Sequence, residues 1–244
     1  MDPQLLSLAG LGLLLAGVVK GATGLGYASC ALPFLVMTFG LKPAMGLILI
    51  PAMATNVSVA LSTGHILATT RRFGVLYAAM LPGIALGLWL LLLVDSRIAT
   101  ALLGSVMIVY ATMALARPAF EIPHRWQQVL QAPTGFLNGV VTGLTGSQVM
   151  PLFPYILALR LEPARSVQAV NLAVVIATVV LGTGLAASGI LTSPILAMSV
   201  AAVIPALIGA AIGNRLRALL PAESFRTIAL AVLLAMGLGL LIRI

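Results

Sequence analysis

Residues 17–33 read Gly-Val-Val-Lys-Gly-Ala-Thr-Gly-Leu-Gly-Tyr-Ala-Ser-Cys-Ala-Leu-Pro, and residues 139–154 read Gly-Val-Val-Thr-Gly-Leu-Thr-Gly-Ser-Gln-Val-Met-Pro-Leu-Phe-Pro. Gly17, Gly21, Thr23 and Gly24 fall on Gly139, Gly143, Thr145 and Gly146 at a constant offset of 122. A one-residue deletion then brings Pro33 onto Pro154. Each copy is a polar, glycine-rich interruption of an otherwise apolar segment. The repeat predicts two broken helices that face each other inside a membrane and form an anion site.

Composition sets the medium. Of the 244 residues, 61% are hydrophobic and 7% are charged, where a soluble domain carries about a quarter charged residues. Apolar runs of spanning length recur along the chain, which reads as an all-α polytopic membrane protein. The alternating pattern of a membrane β-barrel is absent, and no segment is polar and long enough for a separate soluble domain. The formal charge of +8 does not indicate a nucleic-acid partner. Eleven of the thirteen basic residues are arginines placed in loops or at helix ends, where charge writes membrane topology. The single Cys30 cannot form an intrachain disulfide. No cleaved signal peptide is expected.

The chain divides into an N-terminal repeat (1–116), a linker (117–126) and a C-terminal repeat (127–244), together one membrane domain. In the first repeat, apolar arms at 4–19 and about 27–39 flank the break. Each has roughly 13–16 residues, about 20–24 Å of helix, against a hydrocarbon core of about 30 Å. A re-entrant hairpin fits better than two spans. Spans follow at 43–65, 73–94 and 98–116. The second repeat has arms at 127–142 and 148–159, then spans ending near Ala187, Arg215 and Ile244. Leu161-Glu162-Pro163-Ala164 echoes Leu41-Lys42-Pro43-Ala44. Three spans per repeat is an odd number, so the repeats are expected to be inverted. Placing the arginine-rich segments 66–72, 117–126 and 214–226 in the cytoplasm, with Arg160 and Arg165, leaves both termini outside. Inverted repeats with broken helices at matching positions characterise many secondary transporters, with substrate bound where the breaks meet.

The chemistry expected at the breaks follows from residue type. Gly21, Gly24 and Gly26, with Gly143 and Gly146, let the backbone turn and approach a ligand. Helices starting near Tyr27 and Gln148 would aim their positive ends at the breaks. Thr23, Thr145, Ser147 and Gln148 would add neutral donors. The alternative for these glycines is helix packing, which is the preferred reading for Gly83/Gly87 and Gly209/Gly213. Lys20 is the sole Lys or Arg well inside an apolar stretch, a functional residue by default unless it snorkels to an interface. Thr142 replaces it in the second copy. Asn56 and Asn171 either line the pathway or glue helices together. His65 is placed at an interface. The acidic residues Asp2, Asp95, Glu121, Glu162 and Glu223 all lie at segment ends, which disfavours a cation carrier and an intramembrane hydrolase. No metal-ligand spacing or nucleotide-binding loop appears, so neither metal nor cofactor is expected.

Gly-x-x-Gly-Ala-Thr-Gly-Leu-Gly before a proline, the second Gly-x-x-Thr-Gly-Leu-Thr-Gly and Pro82-Gly83-x-x-x-Gly87 resemble the TauE/SafE (sulfite exporter) family over about residues 5–243. The resemblance implies a transporter rather than an enzyme, in the bacterial inner membrane, carrying sulfite, sulfoacetate or a related organosulfur anion. The chain departs from the family pattern at Tyr27-Ala28-Ser29 and Ser147-Gln148, which bears on the particular substrate. A non-transporting scaffold and a passive anion channel remain as alternatives, and a homo-oligomer is left open.

Overall fold

The computed structural model describes residues 3–62, 64–116, 121–217 and 222–242, and among these there are helices and connections but no strand. The N-terminal half contributes α1 (Pro3–Thr23), α2 (Tyr27–Phe39), α3 (Leu41–Leu47), α4 (Leu49–Ser62), α5 (Ile66–Leu93) and α6 (Ser96–Ala116). A short α7 (His124–Gln127) precedes α8 (Gln131–Thr145), α9 (Leu152–Ala158), α10 (Pro163–Ala187), α11 (Ser193–Ala201), α12 (Val203–Leu216) and α13 (Ala222–Ile242). Asp2, residues 117–120 of the expected linker and Arg243 lie outside the described residues, as do the side chains of Glu223 and Arg226. Among the described residues four helical stretches are long and apolar enough to cross a membrane, or five if α3 and α4, bent by 41°, make one span.

Several expected boundaries move: the span expected at 73–94 begins at Ile66, taking Arg71 and Arg72 into α5, and three other shifts have a plain physical reason. The first arm does not stop at Lys20. α1 runs 21 residues to Thr23, about 31 Å, because Lys20 is satisfied inside the protein and its charge does not end the helix. The expected helix from Pro43 to His65 is instead two helices. Pro51 has no N–H to give the Leu47 carbonyl four residues back. The Ser199 hydroxyl donates to that carbonyl at 2.8 Å and accepts from the Ile50 N–H at 3.1 Å. A side chain from α11 thus closes the gap in another helix. The second arm of the second repeat begins at Leu152 rather than Gln148 and has only 7 residues, with Pro151 at its start.

The two halves of the chain interlock through two glycine seams. α1 packs against α12, and α8 packs against α5. A Cβ on Gly17 or Gly21 would run into the carbonyl oxygen of Ala206 or Ala210, and one on Gly209 or Gly213 into that of Leu14 or Val18. The other seam has the same design: Gly139 and Gly143 face the carbonyls of Met80 and Ile84, while Gly83 and Gly87 face those of Phe136 and Val140. Small residues let backbones approach where no hydrophobic drive exists between helices. Gly83, Gly87, Gly209 and Gly213 therefore pack as expected. Gly21 and Gly143, read from the sequence as site residues, carry seam contacts too.

Contacts also sort the connections to two ends. Gln131 Nε2 donates to the Arg72 carbonyl at 3.0 Å, Ile122 N–H to that of Ala158 at 3.1 Å, and Arg160 pairs with Glu121 at 3.2 Å. His65, Arg72 and Arg165 line one small cavity. The arginines 72, 160 and 165 thus share an end. At the other end Gly40 and Leu41 share a cavity with Arg97 and Leu240.

Candidate functional site

The two breaks have one backbone design. Thr23 Oγ1 donates to the Val19 carbonyl at 2.8 Å and accepts from the Leu25 N–H at 3.2 Å. Thr145 Oγ1 donates to the Val141 carbonyl at 2.7 Å and accepts from the Ser147 N–H at 3.1 Å. The following glycines, Gly24 and Gly146, both stand at φ +76°, a left-handed conformation that ends the helix and suits glycine. The Thr-Gly pair is therefore the device that stops each helix. In this geometry each hydroxyl hydrogen has a backbone carbonyl four residues back as a partner, and Thr23 Oγ1 also lies 3.0 Å from the Leu25 carbonyl.

Around the first break the chain assembles a cation. Lys20, in the last turn of α1, is 2% exposed. Its Nζ donates to Asn56 Oδ1 at 2.7 Å and to Asn171 Oδ1 at 2.5 Å. Each amide is oriented by its own helix. Asn56 Nδ2 donates to the Ala52 carbonyl and Asn171 Nδ2 to the Val167 carbonyl, both at 2.7 Å. These back-bonds to residue i−4 leave the oxygens free to face the ammonium. Asn171 Nδ2 also reaches the Gly24 carbonyl at 3.2 Å, tying the turn to α10. Among the described residues no carboxylate pairs with Lys20. Neutral oxygens stabilise an ammonium but do not cancel its charge, and a buried uncompensated charge is costly. The arrangement favours an incoming anion.

A cavity of about 800 Å³ reaches this point. Lys20, Gly21, Thr23 and Gly24 form one wall, with Thr55 and Ser58 of α4 opposite. Glu162, Asn214 and Arg217 lie on its remaining walls. Glu162 is exposed and 3.6 Å from Arg165. The cavity thus opens on the arginine-rich end. Sequence reasoning missed the part played by Asn214 and Arg217. Asn214 was legible as an amide in an apolar helix; Arg217 read as a topology residue.

The second break is closed. Thr142 stands at the position of Lys20 and is 0% exposed. Its hydroxyl lies 2.7 Å from the Asn138 carbonyl and 3.1 Å from that of Ser147. Asn138 Oδ1 accepts from the Leu152 N–H at 3.4 Å, so α9 has its first amide covered rather than offered to a ligand. Gln148 Nε2 lies 3.4 Å from Thr178 Oγ1. Thr145, Gly146, Ser147 and Gln148 belong to this buried cluster, away from the large cavity, and Asn138 Nδ2, Ser147 Oγ and Gln148 Oε1 find no partner there among the described residues. Gln148 meets the first break: with Gly26 and Asn56 it lines a void of about 10 Å³, room for about one water. Asn171 and Thr178 are seven residues apart on α10, about 10 Å, so the two breaks are stacked along that helix on either side of its middle. The expected facing pair differs in kind: the first break carries a buried amine beside an open cavity, the second is uncharged and buried, and a small void lies by Gln148 and Asn56.

Two further expectations can be placed. His65 is exposed at the start of α5, an end position as expected. Gly26, at φ +83°, lies behind the turn rather than on the wall of the large cavity.

A family model described as Sulfite exporter TauE/SafE matches residues 8–240. No curated protein matches the chain. No solved structure matches it either.

Proposed function

Because the chain belongs to the sulfite exporter TauE/SafE family, we propose that it is a secondary transporter moving a small sulfur-containing anion, such as sulfite, sulfoacetate or a related organosulfonate, across the bacterial inner membrane. The observation that carries this reading is the Lys20 ammonium, held by two neutral amides at the inner end of a wide cavity. A sulfite or sulfonate oxygen has a charged donor there, and the cavity supplies further neutral groups at Ser58 and Asn214.

The repeats 1–116 and 127–244 are read as inverted, joined by a linker at 117–126. The reciprocal seams support this, as does the gathering of arginine-bearing connections at one end. By its charge that end is cytoplasmic, so the cavity is open to the cell interior. The Asn56–Gln148 void and the closed second break stand where the path would continue outward. A path closed on one side supports alternating access over a passive channel, whose pore would be continuous.

Counterflow in proteoliposomes tests the proposal. Vesicles loaded with unlabelled sulfite should transiently accumulate external ³⁵S-sulfite above equilibrium. Simple equilibration would indicate a channel, and no protein-dependent flux of sulfite or of sulfonates would leave a scaffold.

A further inference from the structure

A second cavity lies against the back of the first break, and nothing in the proposed transport reaction uses it. It has a volume of about 290 Å³ and is bounded by the α1–α2 turn, by Tyr110 of α6, by Phe153 and Leu157 of α9 and by Leu230 and Leu233 of α13. The Tyr110 and Phe153 rings meet edge to face, 5.7 Å between centroids. Leu157 is half exposed, at 54%, and sits one residue before Ala158, whose carbonyl binds Ile122 at the arginine-rich end. The opening is therefore toward that end and toward the outside of the bundle.

The walls are mostly apolar. Thr23, on one wall, has its hydroxyl committed to the Val19 carbonyl. An ordered water cluster needs two to four polar partners per molecule, and beyond Thr23, Ser29, Cys30, Tyr110 and Arg217 the lining side chains are apolar. An acyl chain does not need polar partners. At the mouth stands Arg217, exposed and without a carboxylate partner among the described residues. An apolar slot between transmembrane helices with an exposed arginine at its arginine-rich end has the chemistry of an anionic lipid site.

We propose that this cavity binds an anionic phospholipid, with one acyl chain between α9 and α13 and the phosphate on Arg217. The site is distinct from the Lys20 cavity: Val19 and Ala22 line one face of α1, and Lys20 and Gly21 the other. The two cavities share only Thr23 and Arg217, so the acyl chain would brace the turn that carries the substrate site while the phosphate sits at the rim the cavities share.

The test uses the full chain purified in a neutral detergent and titrated with phosphatidylglycerol or phosphatidylcholine, reading bound lipid by native mass spectrometry and stability by thermal shift. Phosphatidylglycerol should bind and stabilise more strongly. Arg217→Gln should weaken it about five-fold, the size of one interfacial arginine, with phosphatidylcholine unaffected. Leu230→Trp, which fills the slot, should lower retention of both lipids, and Arg215→Gln, outside the cavity, should retain the preference. Equal binding of the two lipids by the unmodified protein would overturn the proposal. So would an equal loss in Arg215→Gln, which would mean diffuse surface charge. Displacement of phosphatidylglycerol by octanesulfonate, with octanesulfonate then transported, would reassign the cavity to substrate. None of these readings depends on sulfite flux.

Discussion

The first and second breaks share a backbone and differ in everything a ligand would feel. Both end a helix with a threonine hydroxyl on the carbonyl four residues back, and both place the next glycine at φ +76°. Yet Lys20 faces two amides beside an open cavity, while Thr142 is sealed among Asn138 and Ser147. Duplicated sequence thus repeats the hydrogen-bond solution to breaking a helix in a membrane, where every backbone group needs a partner. Charge and access are free to diverge, because neither is needed to hold the turn.

The largest test of that difference swaps the chemistry. Thr142→Lys puts an ammonium where no amide oxygens were arranged to receive it, and an unpaired buried charge costs several kcal/mol. The variant should fail to yield folded, monodisperse protein, whereas Lys20→Thr should fold. Equal recovery of the two by size-exclusion chromatography would show the breaks to be chemically interchangeable.

A smaller contrast separates backbone from surroundings. Gly24→Ala and Gly146→Ala both force alanine into a left-handed conformation, costing about 1–2 kcal/mol. The Gly24 Cβ would sit 3.4 Å from Val167 Cγ1, an ordinary contact, while the Gly146 Cβ would come 2.9 Å from Met45 Cγ. Overpacking adds about 1–3 kcal/mol at Gly146 alone. Thermal melts should rank Gly146→Ala below Gly24→Ala, and the reverse order would mean that the second break is the looser one.

The smallest effect concerns the amides. Asn171→Asp would give Lys20 an internal counter-ion. The protein should stay folded, and sulfite affinity should fall about ten-fold, the equivalent of about 1.4 kcal/mol. Unchanged affinity would show that the ammonium does not face the anion.

Much of this was legible in the sequence, and the reasons are specific. A Thr-Gly pair inside an apolar run signals a helix end, and it did so twice. Lys20, Asn56 and Asn171 stand out because a charge or an amide within a span must find a partner, and here they found one another. What was not legible depends on partners far along the chain. The split at Ile48 becomes stable through Ser199, some 150 residues away. The late start of α9 rests on Asn138 covering the Leu152 amide. The length of α1 was underestimated because Lys20 looked like a stop, when it is buried. The closed state of the second break follows from Thr142, whose hydroxyl gives no sequence signal distinguishing a ligand donor from an internal bridge.

The dissociation constant of sulfite for the unmodified protein, Lys20→Met and Thr142→Val, measured by titration calorimetry, bears most directly on the asymmetry of the breaks. A charged hydrogen bond contributes about 1.5–3 kcal/mol, so Lys20→Met should weaken binding by about 10- to 150-fold, while Thr142→Val should stay within about two-fold, its hydroxyl being an internal bridge. Undiminished affinity in Lys20→Met would contradict the account and return Lys20 to a structural role.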